Sequence, residues 1–329
     1  MSLELKPLRI GDLTIDMPLI LAPLAGYTDQ AYRMLCRSLG AQYCATEMML
    51  DKSLIISDKL RNRLVQPCDG DAPMAGQIIG NGLEDMPAAA IELCKMGMDV
   101  IDLNFACPVR KAIGRQRGGH LMRDPDLAIA ITRNVIAAID RPVTLKIRRA
   151  FYEKDTTYDA MWQILDGAFD AGAAMVCVHT RSVEALYRGT ADWELLAEIK
   201  RRYPDQSIVG SGDVSSAQAA LDMLQQTGID AALAARGALG NPWLFRQFAD
   251  LTAGREPYAP SLPEQAVVMR EHFDRAEAVY GPEKAARVMR KFGIRYGHLH
   301  PTPKKVRIAF VAVKNPGQWQ AVLDEFYSE

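Results

Sequence analysis

The sequence predicts a (β/α)8 barrel followed by a small all-α domain. Two observations carry this. Eight short apolar, β-branched runs recur over about the first 240 residues with helical stretches between them, and after a proline-rich stretch at Thr252–Pro263 the strand signal vanishes. Strands that alternate with helices and are apolar throughout indicate a parallel sheet covered on both faces. Eight such units fit a closed barrel better than a doubly wound sheet.

The elements follow in order. Leu8–Asp16 reads as a β-hairpin around Gly11-Asp12, lying outside the barrel. The eight strands are placed near Pro18–Ala22, Cys44–Met48, Met74–Gly80, Val100–Asn104, Pro142–Arg148, Met175–Thr180, Ser207–Asp213 and Ala231–Gly237. Asp29 is positioned to cap a helix through Leu39, and Asp124-Pro125 gives an N-cap followed by proline at the first helical position. Ser215 is placed as the cap of Ser216–Gln226. The barrel domain is set at 1–252, a linker at 253–263 and a helical domain at 264–329. Its helices are Pro263–Tyr280, Pro282–Gly293, Thr302–Val313 and Pro316–Ser328.

Composition bounds the function. The chain has 329 residues, 49% apolar and 24% charged, as in an ordinary globular protein. No apolar run approaches the ~20 residues of a membrane helix. The N-terminus lacks the basic start and apolar stretch of a signal peptide. These features point to the cytoplasm. The six cysteines are scattered with no CxxC pair, so neither a disulfide framework nor a metal site is expected.

The net charge is −1, yet the charge is unevenly spread. Residues 284–314 hold nine Lys or Arg, among them Arg290, Lys291, Lys304, Lys305 and Arg307, and no acid. Residues 109–123 hold Arg110, Lys111, Arg115, Arg117 and Arg123, again with no acid. Local patches of one sign matter more for binding phosphates than the total. A solvated helix face is the plain alternative for either run.

In such a barrel the chemistry sits at the C-terminal ends of the strands. Strand one ends in Pro23-Leu24-Ala25-Gly26. Strand three carries Gln77, strand four Asn104 and then Cys107, strand five Lys146 and Arg148, and strand six His179 and Arg181. Strands seven and eight end in the small loops Gly210-Ser211-Gly212-Asp213 and Ala235-Arg236-Gly237. Loops at those two positions often bind a phosphate through backbone N–H groups, and Arg236 could add a bidentate contact. Lys146, Gln77 and His179 suit a flavin: the ring becomes anionic when reduced, and a cation such as Lys146 stabilises that form. A structural pair between Lys146 and Glu47 is the alternative. Cys107, followed by Arg110 and Lys111, reads as a nucleophile or a general acid.

These residues carry a resemblance. Ala22-Pro23-Leu24-Ala25-Gly26-Tyr27-Thr28-Asp29, Asn104-Phe105-Ala106-Cys107-Pro108, Lys146-Ile147-Arg148, Val178-His179-Thr180-Arg181, Tyr187-Arg188-Gly189 and Arg236-Gly237-Ala238-Leu239-Gly240-Asn241-Pro242-Trp243 run the length of the barrel. In them the chain resembles the tRNA-dihydrouridine synthases, on the side of the bacterial B-like branch. Arg290-Lys291 and Lys304-Lys305-Val306-Arg307 resemble that family's helical RNA-binding domain more loosely.

The resemblance implies FMN in the barrel mouth, NADPH as reductant and tRNA as substrate, with ribosomal RNA left open. No membrane association is expected from the composition, and no protein partner is implied. Hydride would go to C6 of a flipped-out uracil, and Cys107 would protonate C5 as general acid. The FMN contacts implied are Pro23, Leu24, Ala25, Gln77, Lys146, His179, Ser211, Gly212, Asp213, Ala235 and Arg236. Asn104 would face the uracil. Arg110, Lys111, Arg148, Arg181, Arg290, Lys291, Lys304, Lys305 and Arg307 would meet the substrate or its RNA. Ser211 stands where the family has Asn, and Ala235 where it has Gly. Two rival readings stay open at this point: a flavin barrel acting on a small molecule, as dihydroorotate dehydrogenases do, and an RNA-binding protein without turnover.

Overall fold

A computed structural model describes residues 5–65 and 68–328. Strands β1 (Leu8–Ile10) and β2 (Leu13–Ile15) form the expected hairpin, pairing antiparallel with Leu8 opposite Ile15. Gly11 turns it at φ 57°, and a Cβ there would lie 2.8 Å from the Pro142 ring. The hairpin is separate from the main sheet, but it does not stand apart from the core. Leu8, Ile10 and Ile15 are buried and join the apolar cluster of the barrel interior with Ile20, Val100 and Val209. The hairpin therefore stoppers the end of the barrel opposite the strand C-termini.

The barrel strands are β3 (Leu19–Leu21), β4 (Cys44–Ala45), β5 (Met49–Leu50), β6 (Met74–Ile79), β7 (Val100–Asn104), β8 (Val143–Arg148), β9 (Met175–His179), β10 (Ile208–Ser211) and β11 (Ala231–Ala234). All pair in parallel, and β3 bonds both β4 and β11, which closes the ring. The second strand, expected as one run from Cys44 to Met48, is broken into β4 and β5, both paired to β6. The Thr46 hydroxyl in the break accepts the Gln77 backbone N–H instead. The eight strands are otherwise where the apolar runs placed them. β10 and β11 stop earlier than read, at Ser211 and Ala234, because the loops beyond them leave the ladder.

Helices cover the outside. Asp29 caps Gln30–Ser38 and Asp124 caps Pro125–Ala138, each carboxylate accepting a backbone N–H. For Ala217–Thr227 the cap is Ser216 rather than Ser215: its hydroxyl accepts from Ala219 N. The last barrel helix ends at Thr252, and the next begins at Leu262 behind a Ser261–Glu264 capping box. From there the chain is helical: Leu262–Tyr280, Pro282–Tyr296, Pro303–Ala312 and Pro316–Phe326.

These helices pack on the first barrel loop. Tyr32 donates to the Ala238 carbonyl and stacks on His272 and Phe292. Tyr280 donates to Asp29 (2.9 Å), and Lys291 donates to the Gly26 carbonyl. Gly240, at φ 87°, lies so close to the Arg295 backbone that a Cβ would sit 2.3 Å from its carbonyl oxygen. Among the described residues no helix is long and apolar enough to cross a membrane, and no cluster of potential metal ligands occurs.

Candidate active site

The C-terminal ends of the strands surround a cavity of about 1050 Å3. Its wall includes Pro23, Leu24 and Ala25 after β3, Asn104 and Cys107 after β7, and Lys146 and Arg148 on β8. His179 on β9, Ser211, Gly212 and Asp213 after β10, and Ala235 and Arg236 after β11 complete it. Of the residues expected to contact the flavin, Gln77 is absent from it. Gln77 points into the barrel, fully buried: its amide donates to Asp102 (2.6 Å) and its carbonyl accepts from Asn104 (2.8 Å).

The Cys107 loop is held from three sides. Asn104 Oδ1 accepts the backbone N–H of Ala106 (3.1 Å) and of Cys107 (2.9 Å). The Arg148 guanidinium donates to the Ala106 carbonyl (2.9 Å). Gly119 N donates to the Cys107 carbonyl (3.0 Å). Gly118 sits against it at φ 59°, where a Cβ would meet Cys107 Cβ at 2.9 Å, so only glycine fits there. Burial pushes the Cys107 thiol up, although Arg148 and Lys146 pull the other way. The sulfur is therefore a neutral S–H at ordinary pH, a form that suits a proton donor better than a nucleophile.

Positive charge gathers beside this loop, beginning on the neighbouring strand β8. Lys146 is half-buried and its ammonium has no hydrogen bond or ion pair among the described residues, with burial pushing it down. Glu47 does not pair with it and lies beside Gly26, Asp29 and Lys291. His179 is pushed down to about 2 by burial and by Lys146, Arg148, Arg181 and Arg236, so its ring is neutral. The loops after β10 and β11 come together tightly: a Cβ on Gly237 would lie 2.4 Å from the Val214 carbonyl. Gly212 and Asp213 both take positive φ, 118° and 61°. The N–H groups of Arg236 and Gly237 have no backbone acceptor among the described residues.

Three arginine or lysine side chains expected to meet the substrate or RNA are taken elsewhere. Arg181 is 3% exposed and off the cavity wall; it binds both oxygens of Asp213 (2.7 Å) and the carbonyls of Arg188 and Gly189. It fastens the Ser182–Asp192 loop to the β10 loop. Arg148 lines the cavity but donates to the carbonyls of Ala106, Ser182 and Leu186, so it braces the Cys107 loop. Lys291 ties helix Pro282–Tyr296 to the first barrel loop, at Gly26 and over the Tyr27 ring. By contrast Arg110, Lys111, Arg290, Lys304, Lys305 and Arg307 are exposed, the first two on the short helix Arg110–Ile113 directly after the Cys107 loop.

The structure also adds residues to the wall. Tyr187 is 55% exposed at the mouth, with the Arg236 guanidinium 4.7 Å and that of Arg148 5.9 Å from its ring centre. Arg295, His298 and Leu299 of the helical domain line the same cavity. Arg295 stands in the basic run, but nothing local in the sequence aims it at the barrel mouth.

A family model described as "Dihydrouridine synthase (Dus)" matches residues 20–329. The chain is 36% identical over 324 residues to the tRNA-dihydrouridine synthase B of Pseudomonas aeruginosa, covering 98% of this chain and 96% of that one. It is 33% identical to the tRNA-dihydrouridine synthase B of Xanthomonas campestris, with 97% and 96% covered. It is 30% identical to a probable tRNA-dihydrouridine synthase of Rhodobacter capsulatus, with 98% of each covered. Among solved structures, 2-naphthoyl-CoA reductase superposes with TM-score 0.58 at 13% identity, over 76% of this chain and about half (52%) of that one. A variant of NCR from Zymomonas mobilis superposes with TM-score 0.56 at 20% identity, over 77% and 92%. These two likenesses concern the fold.

Proposed function

This chain belongs to the dihydrouridine synthase family, and from that membership and the barrel mouth we propose how it works. It is a flavin-dependent oxidoreductase that reduces the uridine C5=C6 bond in tRNA to dihydrouridine. A bound flavin, which we take to be FMN with NADPH as its reductant, supplies the hydride to C6.

The residues present fit such a group. A cavity of about 1050 Å3 exceeds the ~300–1,000 Å3 of a pocket for one small ligand, which leaves room for a ring system and a base together. Lys146 offers an unpaired ammonium, the charge a reduced flavin calls for. Ser211, Gly212, Arg236 and Gly237 would hold the phosphate, with free backbone N–H groups in the β11 loop and the Arg236 guanidinium beside them. Pro23, Leu24 and Ala25 form an apolar side of the same wall. His179, neutral, can donate or accept a hydrogen bond there without adding charge.

Cys107 is the residue on which the reading turns. Its thiol shares the cavity with Lys146, is held protonated by burial, and sits on a loop braced by Asn104 and Arg148. It would hold the proton destined for C5. The thiolate left behind would gain from Arg148 and Lys146, the two cations that already act on it. Asn104, with its oxygen committed to two backbone N–H groups and its amide nitrogen donating to Gln77, fixes this loop. A base reached from two faces must leave the RNA stack. Exposed Arg110 and Lys111 beside Cys107, and Arg290, Lys304, Lys305 and Arg307 on the helices, would hold the surrounding phosphates. The enzyme would act where its tRNA is, in the cytoplasm.

The test is the nucleoside content of tRNA and ribosomal RNA, by mass spectrometry, from cells with and without this gene. Dihydrouridine should be lost from tRNA and restored by the wild-type copy but not by Cys107→Ala. Unchanged dihydrouridine in a host without a redundant enzyme would refute the assignment.

A further inference from the structure

Below the mouth, the barrel interior carries a carboxylate. Asp102, on β7, is 7% exposed, and both of its oxygens accept: Oδ1 from the Thr144 hydroxyl (2.7 Å), Oδ2 from Gln77 Nε2 (2.6 Å). The polarity of this chain is set from its far end. Two backbone N–H groups of the Cys107 loop require the Asn104 oxygen, so Asn104 must donate to Gln77, and Gln77 must turn its donor to Asp102. Beside Asp102 lies a void of about 20 Å3, lined also by Thr144, Lys146 and Tyr43. That is room for one water, which needs about 10–15 Å3 and two or more polar partners. The buried Tyr43 hydroxyl has no partner among the described residues and supplies one. Lys146 lines this void and the large cavity alike. Among the described residues, the one other carboxylate on either wall, Asp213, is already bound by Arg181.

We propose that Asp102 is the counter-charge of Lys146. It is a positioning residue that, through the lysine and a water in the void, limits how far the barrel floor stabilises a reduced flavin. This rests on the flavin reading above. Lys146, Arg148 and Arg236 all line the large cavity, and unopposed they would favour the reduced, anionic cofactor and weaken it as a hydride donor. A buried negative charge next to Lys146 opposes that. Burial raises the Asp102 carboxyl overall, against the pull of Gln77, Thr144 and Lys146, the three groups that favour its ionised form.

Asp102→Asn isolates the charge. The new amide can accept from Gln77 as before and donate to the Thr144 hydroxyl, which reverses its role, so every hydrogen bond survives. The reduction potential of the protein-bound flavin, titrated spectroscopically, should shift upward. In stopped flow, reduction by NADPH should be undiminished while reoxidation by tRNA slows, by roughly tenfold for one unit charge felt across an interior of effective dielectric ~20. A structural lesion would slow both half-reactions and leave the potential in place. Thr144→Val, which strips the carboxylate of one donor and so disfavours its ionised form, should move the potential the same way, up, and it serves if Asp102→Asn does not fold. A potential unmoved or moved the opposite way in the variant that folds overturns the proposal. A wild-type chain that takes up no flavin overturns the underlying reading as well.

Discussion

Replacing Asn104 by alanine should destabilise the protein measurably even with no ligand present. The substitution leaves the buried N–H groups of Ala106 and Cys107 without an acceptor and the Gln77 carbonyl without its donor. Each such group costs about 1–3 kcal/mol when stranded. The loop borders the cavity, so water can reach part of it, and a net loss of about 2–4 kcal/mol follows. At roughly 2–4 °C per kcal/mol this lowers Tm by roughly 4–16 °C. Asn104→Asp sharpens the test. It keeps the acceptor for both N–H groups but turns a second oxygen toward the Gln77 carbonyl. Gln77 cannot turn away, because its other end donates to Asp102. The introduced carboxyl must therefore hold a proton, and its folded pKa is raised above the ~3.9 of an unfolded aspartate. The sign follows: Asn104→Asp comes closest to wild type below about pH 4 and loses stability as pH rises through the raised folded value. The assays are thermal melts across pH and the alkylation rate of Cys107, read by peptide mass spectrometry. If Asn104→Ala melts within ~1 °C of wild type and alkylates at the same rate, the amide does not hold the loop.

Four further outcomes follow from the same geometry. Cys107 should alkylate slowly at neutral pH, with a midpoint above the ~8.5 of a free thiol. Activity that needs its proton should persist through neutral pH and fall only on the alkaline side; a midpoint below that value would remove the acid role. Asp213→Ala strands the buried Arg181 guanidinium. Breaking a fully buried pair costs ~3–5 kcal/mol, and the loss seen in denaturant melts should be smaller because Asp213 is about one-third exposed. Replacing Lys304, Lys305 and Arg307 together by alanine should weaken tRNA binding and flatten its salt dependence, by about 0.7–0.9 in log–log slope for each phosphate no longer neutralised, with Cys107 alkylation unchanged. Gly240→Ala drives a methyl into the Arg295 backbone, so limited proteolysis should cut between the barrel and the helices faster than in wild type.

What is legible in the sequence is what is local. Apolar runs buried on both faces mark barrel strands wherever they occur, so the eight units and the rim they define can be read directly, and with them the places of Cys107, Lys146, His179 and the β10 and β11 loops. The fate of a polar side chain is another matter, since it depends on acceptors distant in the chain. Arg148 is bound to carbonyls 34, 38 and 42 residues away, and Lys291 to one 265 residues away. Arginine type and strand-end position are the same whether the guanidinium faces RNA or a loop carbonyl. A place on a barrel strand aims Gln77 at the cavity, yet Asp102 and Asn104 claim both ends of its amide. The cap at Ser216 differs by one residue from the expected Ser215 because two serines adjoin and either hydroxyl satisfies the local rule.

The packing of the C-terminal helices on the barrel bears on target choice. The C-terminal helical segment contributes Arg295, His298 and Leu299 to the very cavity that holds Cys107, and it is fastened there by the close approach of the Gly240 and Arg295 backbones, by bonds from Tyr280 and Lys291, and by the packing of the Tyr32 ring on His272 and Phe292. These contacts set the span from the mouth to the exposed lysines and arginines of the helices. On the function proposed above, a flipped base would reach Cys107 only where the RNA around it meets those cations at that span, and selection of the modified uridine would rest on RNA shape and on where the charges sit. Moving a basic residue one turn along Pro303–Ala312 should change which uridine is reduced, while changes at Lys146 or Cys107 should change only how fast.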